Sequence, residues 1–142
     1  MNITAAKFGY PDALLHGTPH WLVLLRPVQV TLGSLVLCCV DPARRFGEIS
    51  EAAAAELKPV TSKIEAALSA AFQHDRINYL MLMMVDPDVH FHVLPRYASE
   101  REIAGQRCAD RAWPGPPDLT QSLELAPAAR AALLARLRDH FA

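Results

Sequence analysis

Ionisable side chains occupy every second position of one short segment that otherwise holds strand-forming residues. Asp88, His90 and His92 alternate there with apolar residues. Successive side chains of a strand point to opposite faces, so the carboxylate and both imidazoles share one face while the apolar residues anchor the other in a core. Imidazole serves at neutral pH as a nucleophile, a proton carrier or a metal ligand. This segment is therefore the candidate site of chemistry.

Metal binding is one use of two histidines at this spacing. Zinc would need a third ligand, which Asp88 could supply, with Asp86 and Cys108 as more remote candidates. A cupin-type site would also need a glutamate shortly after His92, but positions 96 and 97 hold arginine and tyrosine. A metal-dependent hydrolase is therefore the less favoured interpretation, and no metal or other cofactor is predicted.

The surrounding apolar patterns predict the elements that position this segment. His20 to Leu25 and Ser34 to Val40 have the composition of two strands, and the continuous apolar run from Arg76 to Met84 predicts a central strand covered on both faces. Between them, apolar residues recur at helical spacing from Ile49 to Ala71, which predicts one helix kinked at Pro59. Strands that follow one another usually pair, so we expect an antiparallel meander.

The C-terminal part of the chain has a different character. Tyr97 to Glu124 lacks periodicity and predicts a long ordered loop or a tail, in which Trp113 stands among prolines and is expected to pack against the protein or a partner. Pro127 suits the first position of a closing helix. The predicted fold class is thus α+β, with an antiparallel sheet of about five strands, one main helix and a C-terminal helix.

Length and composition limit the range of functions. The chain has 142 residues, is 51% hydrophobic and carries a formal net charge of −1, which predicts one globular domain. It holds no long charged block and no long apolar run, so neither long nucleic acid nor a membrane is an expected partner, and the expected location is the cytoplasm. The three cysteines form no C-x-x-C pair and are expected to be reduced.

The longer string from Val89 to Arg96 resembles the later part of the histidine triad (HIT) signature. In that family of nucleotide hydrolases and transferases, three histidines alternate with apolar residues, often before Pro-Arg. The order of the predicted elements is similar too, so the resemblance covers a core over about 20–97. It implies a single HIT-like domain over 1–142, completed by the Pro-rich loop and C-terminal helix of 98–142. The first triad position holds Asp88, which makes this a D-x-H-x-H variant.

The resemblance implies a role for each residue of the site. His90, the middle position, attacks the α-phosphorus to form a nucleotidyl-imidazole intermediate, and His92 assists the phosphate or the leaving group. Asp88 either orients an imidazole or repels phosphate through its charge. Asn78, where the family often has an asparagine, and Arg96 are the expected substrate contacts.

Further departures from the family concern contacts to phosphate. Leu82, Met83 and Met84 stand where the family commonly has a Gly-rich segment with a glutamine, and Gly33-Ser34 replaces a Gly-His pair. The favoured function is hydrolysis or transfer at the α-phosphate of a nucleoside phosphate derivative, such as a dinucleoside polyphosphate or a phosphoramidate. The alternative is a nucleotide-binding protein with weak or no turnover. The resemblance also implies a homodimer.

Overall fold

The computed structural model describes residues 2–142. Within them, a five-stranded sheet carries the histidine segment, and the last two strands along the chain form a separate hairpin. The strands are β1 (Leu14–Gly17), β2 (Trp21–Leu25), β3 (Leu35–Cys39), β4 (Arg76–Leu80), β5 (His90–Arg96), β6 (Arg101–Ile103) and β7 (Gln106–Cys108). The helices are α1 (Ile3–Lys7), α2 (Glu51–Phe72) and α3 (Pro127–Phe141), with a short 3-10 turn at Phe46–Glu48. The predicted α+β class, with its main helix and C-terminal helix, is confirmed.

The strand order is β1-β2-β3-β5-β4, and each neighbouring pair is antiparallel. β5 therefore lies between β3 and β4, and the predicted meander is wrong at this step. Helix α2 separates β3 from β4 along the chain, which leaves the edge of β3 open for β5. The resulting register sets His92 opposite Val36 and His90 opposite Cys38.

β4 is an edge strand and not the central strand that its apolar run predicts. Only β5 pairs with it in the sheet. The strand ends at Leu80, and the chain then leaves the sheet, with Met84 85% exposed. The apolar side chains of Ile77 and Tyr79 are half-buried against the edge of the core. Packing at a sheet edge therefore produces the same hydrophobic pattern as a central strand.

Helix α2 covers one face of the sheet. Ser50 caps its N-terminus by accepting a hydrogen bond of 3.0 Å from the backbone N–H of Ala53. The helix runs through Pro59, in agreement with the single predicted helix. Ile64 and Leu68 continue its buried stripe beyond the proline, so packing on the sheet outweighs the one backbone donor that is lost.

The C-terminal part contains a hairpin that the sequence pattern does not predict. β6 and β7 are joined by Ala104-Gly105, both with positive φ, inside the stretch predicted as an irregular loop. Helix α3 begins at Pro127, as predicted, and packs on α2. No helix within residues 2–142 has the length and apolar content to cross a membrane. The three cysteines are free and buried, as reduced thiols would be: Cys38, Cys39 and Cys108.

The other face of the sheet is covered by the N-terminal segment, residues 2–8, which includes α1. Neither α1 nor β1 follows from the sequence pattern, and the sheet begins at Leu14, before the predicted core. Side chains of the segment and of the sheet form a second, smaller apolar cluster, which consists of Ala5, Phe8, Leu24, Val36 and Cys38. The histidines of β5 lie on this covered face.

Candidate functional site

The two histidines lie side by side beneath the N-terminal segment. His90 begins β5 and His92 follows on the same face, with ring centroids 5.1 Å apart and planes at 84°. His90 is 2% exposed and His92 is 7% exposed. Asp88, just before the strand, is also buried. The three residues singled out in the sequence are thus neighbours on one covered surface.

A backbone carbonyl sets the tautomer of His90. Nδ1 of His90 lies 2.7 Å from the backbone oxygen of Asp88. A carbonyl oxygen only accepts hydrogen bonds, so Nδ1 of the ring carries the proton and donates it. The neutral ring then has its lone pair on Nε2. His90 is therefore held in the form that a nitrogen nucleophile requires.

An arginine sets the opposite tautomer in His92. Nε of Arg26 donates to Nδ1 of His92 at 3.3 Å. Because a guanidinium has only donors, Nδ1 of His92 accepts and the proton of the neutral ring lies on Nε2. The pKa of His92 is lowered to about 4, chiefly by burial and to a smaller extent by the charges of Arg26 and His90. The ring is therefore a neutral donor at physiological pH.

The carboxylate of Asp88 binds the N-terminal segment and not an imidazole. Its Oδ2 accepts a hydrogen bond of 3.1 Å from the backbone N–H of Thr4. In return, the backbone N–H of Asp88 donates to Oγ1 of Thr4 at 3.1 Å. Asp88 thus fastens residues 2–8 to the start of β5, while its backbone carbonyl accepts the hydrogen bond from His90.

Phe8 covers both histidine rings. Its ring centroid lies 5.9 Å from that of His90 and 5.8 Å from that of His92. The segment that carries it is held at both sides by polar contacts. Lys7 forms an ion pair of 2.6 Å with Asp86, and Nδ2 of Asn2 donates to the backbone oxygen of Cys39 at 2.7 Å. In this structure the N-terminal segment therefore shields both histidine rings from solvent.

A cavity of about 390 Å³ adjoins the site on the same face. The N-terminal segment, β2 and the residues after β3 form its walls, and the carboxylate residue Asp88 borders it. Most of its lining is apolar, and the residues are Asn2, Ala5, Tyr10, Leu22, Val40, Asp41, Pro42 and Asp88. Its size and polarity suit a small organic group.

Of the two predicted substrate contacts, Arg96 ends β5 and Asn78 lies beside it on β4, and the two side chains bind each other. Nη1 of Arg96 donates to Oδ1 of Asn78 at 2.9 Å. Its Nε and Nη2 donate to the two carboxylate oxygens of Asp110 at 2.7 and 3.2 Å, and Nη2 also reaches the backbone oxygen of Gly115 at 3.0 Å. These contacts anchor the loop that carries Trp113 beside β4. The structure therefore does not bring this pair together with the histidines.

The connection between β2 and β3 supplies Arg26 and is closed by internal hydrogen bonds. Ser34 donates from Oγ to the backbone oxygen of Thr31 at 2.7 Å. Oε1 of Gln29 accepts from the backbone N–H of Gly33 at 2.8 Å, and its Nε2 donates to the backbone oxygen of Arg26 at 2.8 Å. The backbone of Arg26 is therefore held at a defined place beside β5.

The sequence pattern does not predict three residues of the site, which are Thr4, Phe8 and Arg26. Thr4 and Phe8 lie more than 80 positions before the histidines in the sequence. The hydrogen bond between Thr4 and Asp88 joins residues that are 84 positions apart. In the sequence, Arg26 is a charged residue directly after an apolar strand, and its position there does not mark it as part of a site. The strand order β2-β3-β5 is what brings Arg26 across to His92.

In residues 2–142, no group of three or more His, Cys, Asp or Glu side chains is arranged to hold a metal ion.

A curated protein shares sequence with this chain. No protein-family model matches the chain. The nitrilase and fragile histidine triad fusion protein NitFhit of Caenorhabditis elegans is 28% identical over 104 residues, which cover 67% of this chain and 23% of that protein. The chain thus spans less than a quarter of the length of the curated relative that it matches.

Solved structures share the arrangement of helices and strands. A histidine triad protein of Bradyrhizobium japonicum has a TM-score of 0.73 at 22% identity, with 91% of this chain and 90% of that chain covered. A histidine triad protein of Sinorhizobium meliloti 1021 has a TM-score of 0.74 at 19% identity, with 99% and 95% covered. The fold of this chain is that of the histidine triad proteins.

Proposed function

We propose that this protein is a HIT-type nucleotide hydrolase or transferase, a D-x-H-x-H variant that acts at the α-phosphate of a nucleoside phosphate derivative. Dinucleoside polyphosphates and nucleoside phosphoramidates are the substrate classes. The opposite tautomers of the paired histidines carry the proposal. His90 presents a lone pair at Nε2, and His92 presents an N–H at Nε2. A nucleophile beside a fixed donor is the minimum needed to attack and hold a phosphoryl group.

In the first step, Nε2 of His90 attacks the α-phosphorus. The new P–N bond forms as the bond to the leaving group breaks, and the leaving group takes the electron pair. From a dinucleoside polyphosphate it departs as a nucleotide phosphate anion, and from a phosphoramidate it departs as an amine that has taken a proton from solvent. The ring becomes cationic, and its Nδ1–H stays bonded to the backbone oxygen of Asp88, which stabilises that charge. His92 donates from Nε2 to a phosphoryl oxygen and offsets the charge there.

In the second step, water or another acceptor attacks the same phosphorus. The P–N bond breaks, its electron pair returns to Nε2 of His90, and the acceptor loses its proton to solvent. With water, the product is a nucleoside monophosphate. His90 ends in the tautomer in which it began, and the scheme uses no metal or cofactor.

Access to His90 requires the N-terminal segment to move. The ring is 2% exposed, and Phe8 packs on it and on His92. Loops that close over a reacting group commonly open on the microsecond to millisecond timescale. We propose that residues 2–8 open to admit substrate and that the adjoining cavity of about 390 Å³ takes part of it.

The remaining predictions complete the proposal. A direct substrate contact would require Arg96 to leave Asp110, or Asn78 to leave Arg96, so we assign both residues first to the support of β5. In the described residues the outer side of β4 has no strand partner, which suits a homodimer. We propose a homodimer and a cytoplasmic location, with residues 1–142 as one domain.

The test is a panel of adenine and guanine dinucleotides and phosphoramidates assayed with wild type and His90→Ala. Wild type is expected to release nucleoside monophosphate, and His90→Ala to lose on the order of a thousandfold in rate, because no other group replaces the nucleophile. His140→Ala, which changes an exposed histidine on α3, is the control. Wild-type rates in His90→Ala would refute the mechanism. Saturable binding by calorimetry without any product would instead support the nucleotide-binding alternative.

A further inference from the structure

Arg26 approaches His92 from a rigid backbone. It follows the last residue of β2, and its own N–H donates to the backbone oxygen of Ser34 at 3.0 Å. Its backbone oxygen accepts from Nε2 of Gln29 at 2.8 Å. The start of the side chain is thus fixed by hydrogen bonds on both sides of the residue.

The guanidinium plane is fixed as well. Nη1 of Arg26 donates to the backbone oxygen of Val28 at 2.7 Å, while Nε points to Nδ1 of His92. Since the donors of a guanidinium lie in one plane, a second contact limits where the first can point. We propose that Arg26 is the positioning residue that holds His92 as a neutral Nε2–H donor in the proposed reaction.

The charges around His92 come from three elements besides its own strand. Arg26 at the end of β2 and Lys7 on α1 disfavour its protonation, and Asp86 in the connection before β5 favours it. Lys7 and Asp86 form an ion pair with each other, so their effects largely oppose. His90 beside it on β5 also disfavours a second positive charge. Arg26 is therefore the principal charge that acts on the ring.

The consequence concerns how His92 assists the reaction. A ring that stays neutral does not deliver a proton to the leaving group as an imidazolium acid would. It stabilises the phosphoryl oxygens by a hydrogen bond whose direction Arg26 sets. This deepens the proposed function and rests on it for its catalytic meaning, but the protonation state of His92 is a property of the protein without substrate.

The experiment combines nitrogen-15 NMR of the histidine rings with turnover of adenosine 5′-phosphoramidate. In wild type we expect His92 to carry its proton on Nε2 and to titrate near the pKa of about 4. In Arg26→Met the ring is expected to populate both tautomers and to titrate at higher pH. The rate is expected to fall on the order of tenfold. The acid side of its pH profile should move to higher pH by as much as the His92 titration does. Arg26→Lys, which keeps the charge, should recover part of the pKa shift.

Arg138→Met is the matched control, because Arg138 also binds backbone oxygens, those of Asp12 and Leu14, but lies on the exposed side of α3. It should leave the His92 titration unchanged. A proton on Nδ1 of His92 in wild type, or an unchanged titration in Arg26→Met, would overturn the assignment of Arg26, and the wild-type measurement decides this even if the variant does not fold. A correct tautomer with no turnover by wild type would refute the proposed function and leave the positioning by Arg26 intact.

Discussion

The two ends of β5 bury polar side chains in opposite ways. At the far end, the side chain of Arg96 is 4% exposed and that of Asp110 is 2% exposed, and two hydrogen bonds join their charges. At the near end, His90 and His92 are as well buried, but each uses only Nδ1 in a hydrogen bond within the described residues. At the Arg96 end the charged groups have their hydrogen-bond partners inside the fold. At the histidine end, Nε2 of each ring remains available to a ligand.

This difference separates stability from chemistry along one strand. A buried charge that has all its partners contributes to holding a loop in place, and losing one partner is costly. A buried imidazole held neutral has little such cost, yet it remains able to form a bond to a ligand. Asp88 follows the same division, because its carboxylate fastens the N-terminal segment and its backbone carbonyl fixes the tautomer of His90.

The largest expected effect is on stability at the Arg96 end. Arg96→Met leaves the carboxylate of Asp110 buried without its cation, so the free energy of unfolding should fall by about 3 to 5 kcal/mol. Urea denaturation followed by circular dichroism measures it. Arg107→Met, which removes an exposed ion pair with Glu100, is the matched control and should cost less than about 1 kcal/mol. Equal losses in both variants would contradict the contrast.

The histidine end should make stability depend on pH. The pKa of His92 is lowered from 6.5 to about 4 in the folded protein, so the unfolded chain binds more protons between these values. Stability is therefore full above about pH 6.5 and falls as the pH drops toward about 4, by on the order of 3 kcal/mol. Denaturation of wild type and of His92→Asn across this range measures the difference. A difference that does not vary with pH would show that His92 is not held neutral.

Phe8→Ala should open the histidine end. The substitution removes the ring that covers His90 and His92, and we expect unfolding to become easier by about 2 kcal/mol because the site is at the margin of a core. Modification of the histidines by diethyl pyrocarbonate should become faster, on the order of tenfold. Phe46→Ala, at an exposed phenylalanine, is the control. An unchanged modification rate would mean that the N-terminal segment does not limit access.

The smallest expected effect is that of Asp88→Asn on turnover. The amide keeps the backbone oxygen that His90 requires and an oxygen that can accept from Thr4. The rate should therefore change by less than about threefold, and stability by about 1 kcal/mol. Steady-state kinetics with adenosine 5′-phosphoramidate measures the rate. A loss as large as that of His90→Ala would assign the carboxylate itself to the reaction.

Sequence reasoning succeeded where a local pattern has one dominant cause. The period of two in β5 places the histidines on one face, and the apolar stripe of α2 keeps its phase through Pro59. It failed at β4, since an apolar run does not distinguish a central strand from an edge strand packed on a core. It also gave no sign of the β6–β7 hairpin, which is short and depends on a two-residue turn at Ala104-Gly105.

The sequence by itself determined which residues are able to do chemistry and on which face of the strand they stand, because side-chain alternation is a local property of the backbone. Only the tertiary structure decided what state those residues are in. The carbonyl of Asp88 and the guanidinium of Arg26 give the two rings opposite tautomers, and Phe8 shields them. Such contacts join residues far apart in the chain, and their geometry exists only once the sheet order and the N-terminal segment are in place.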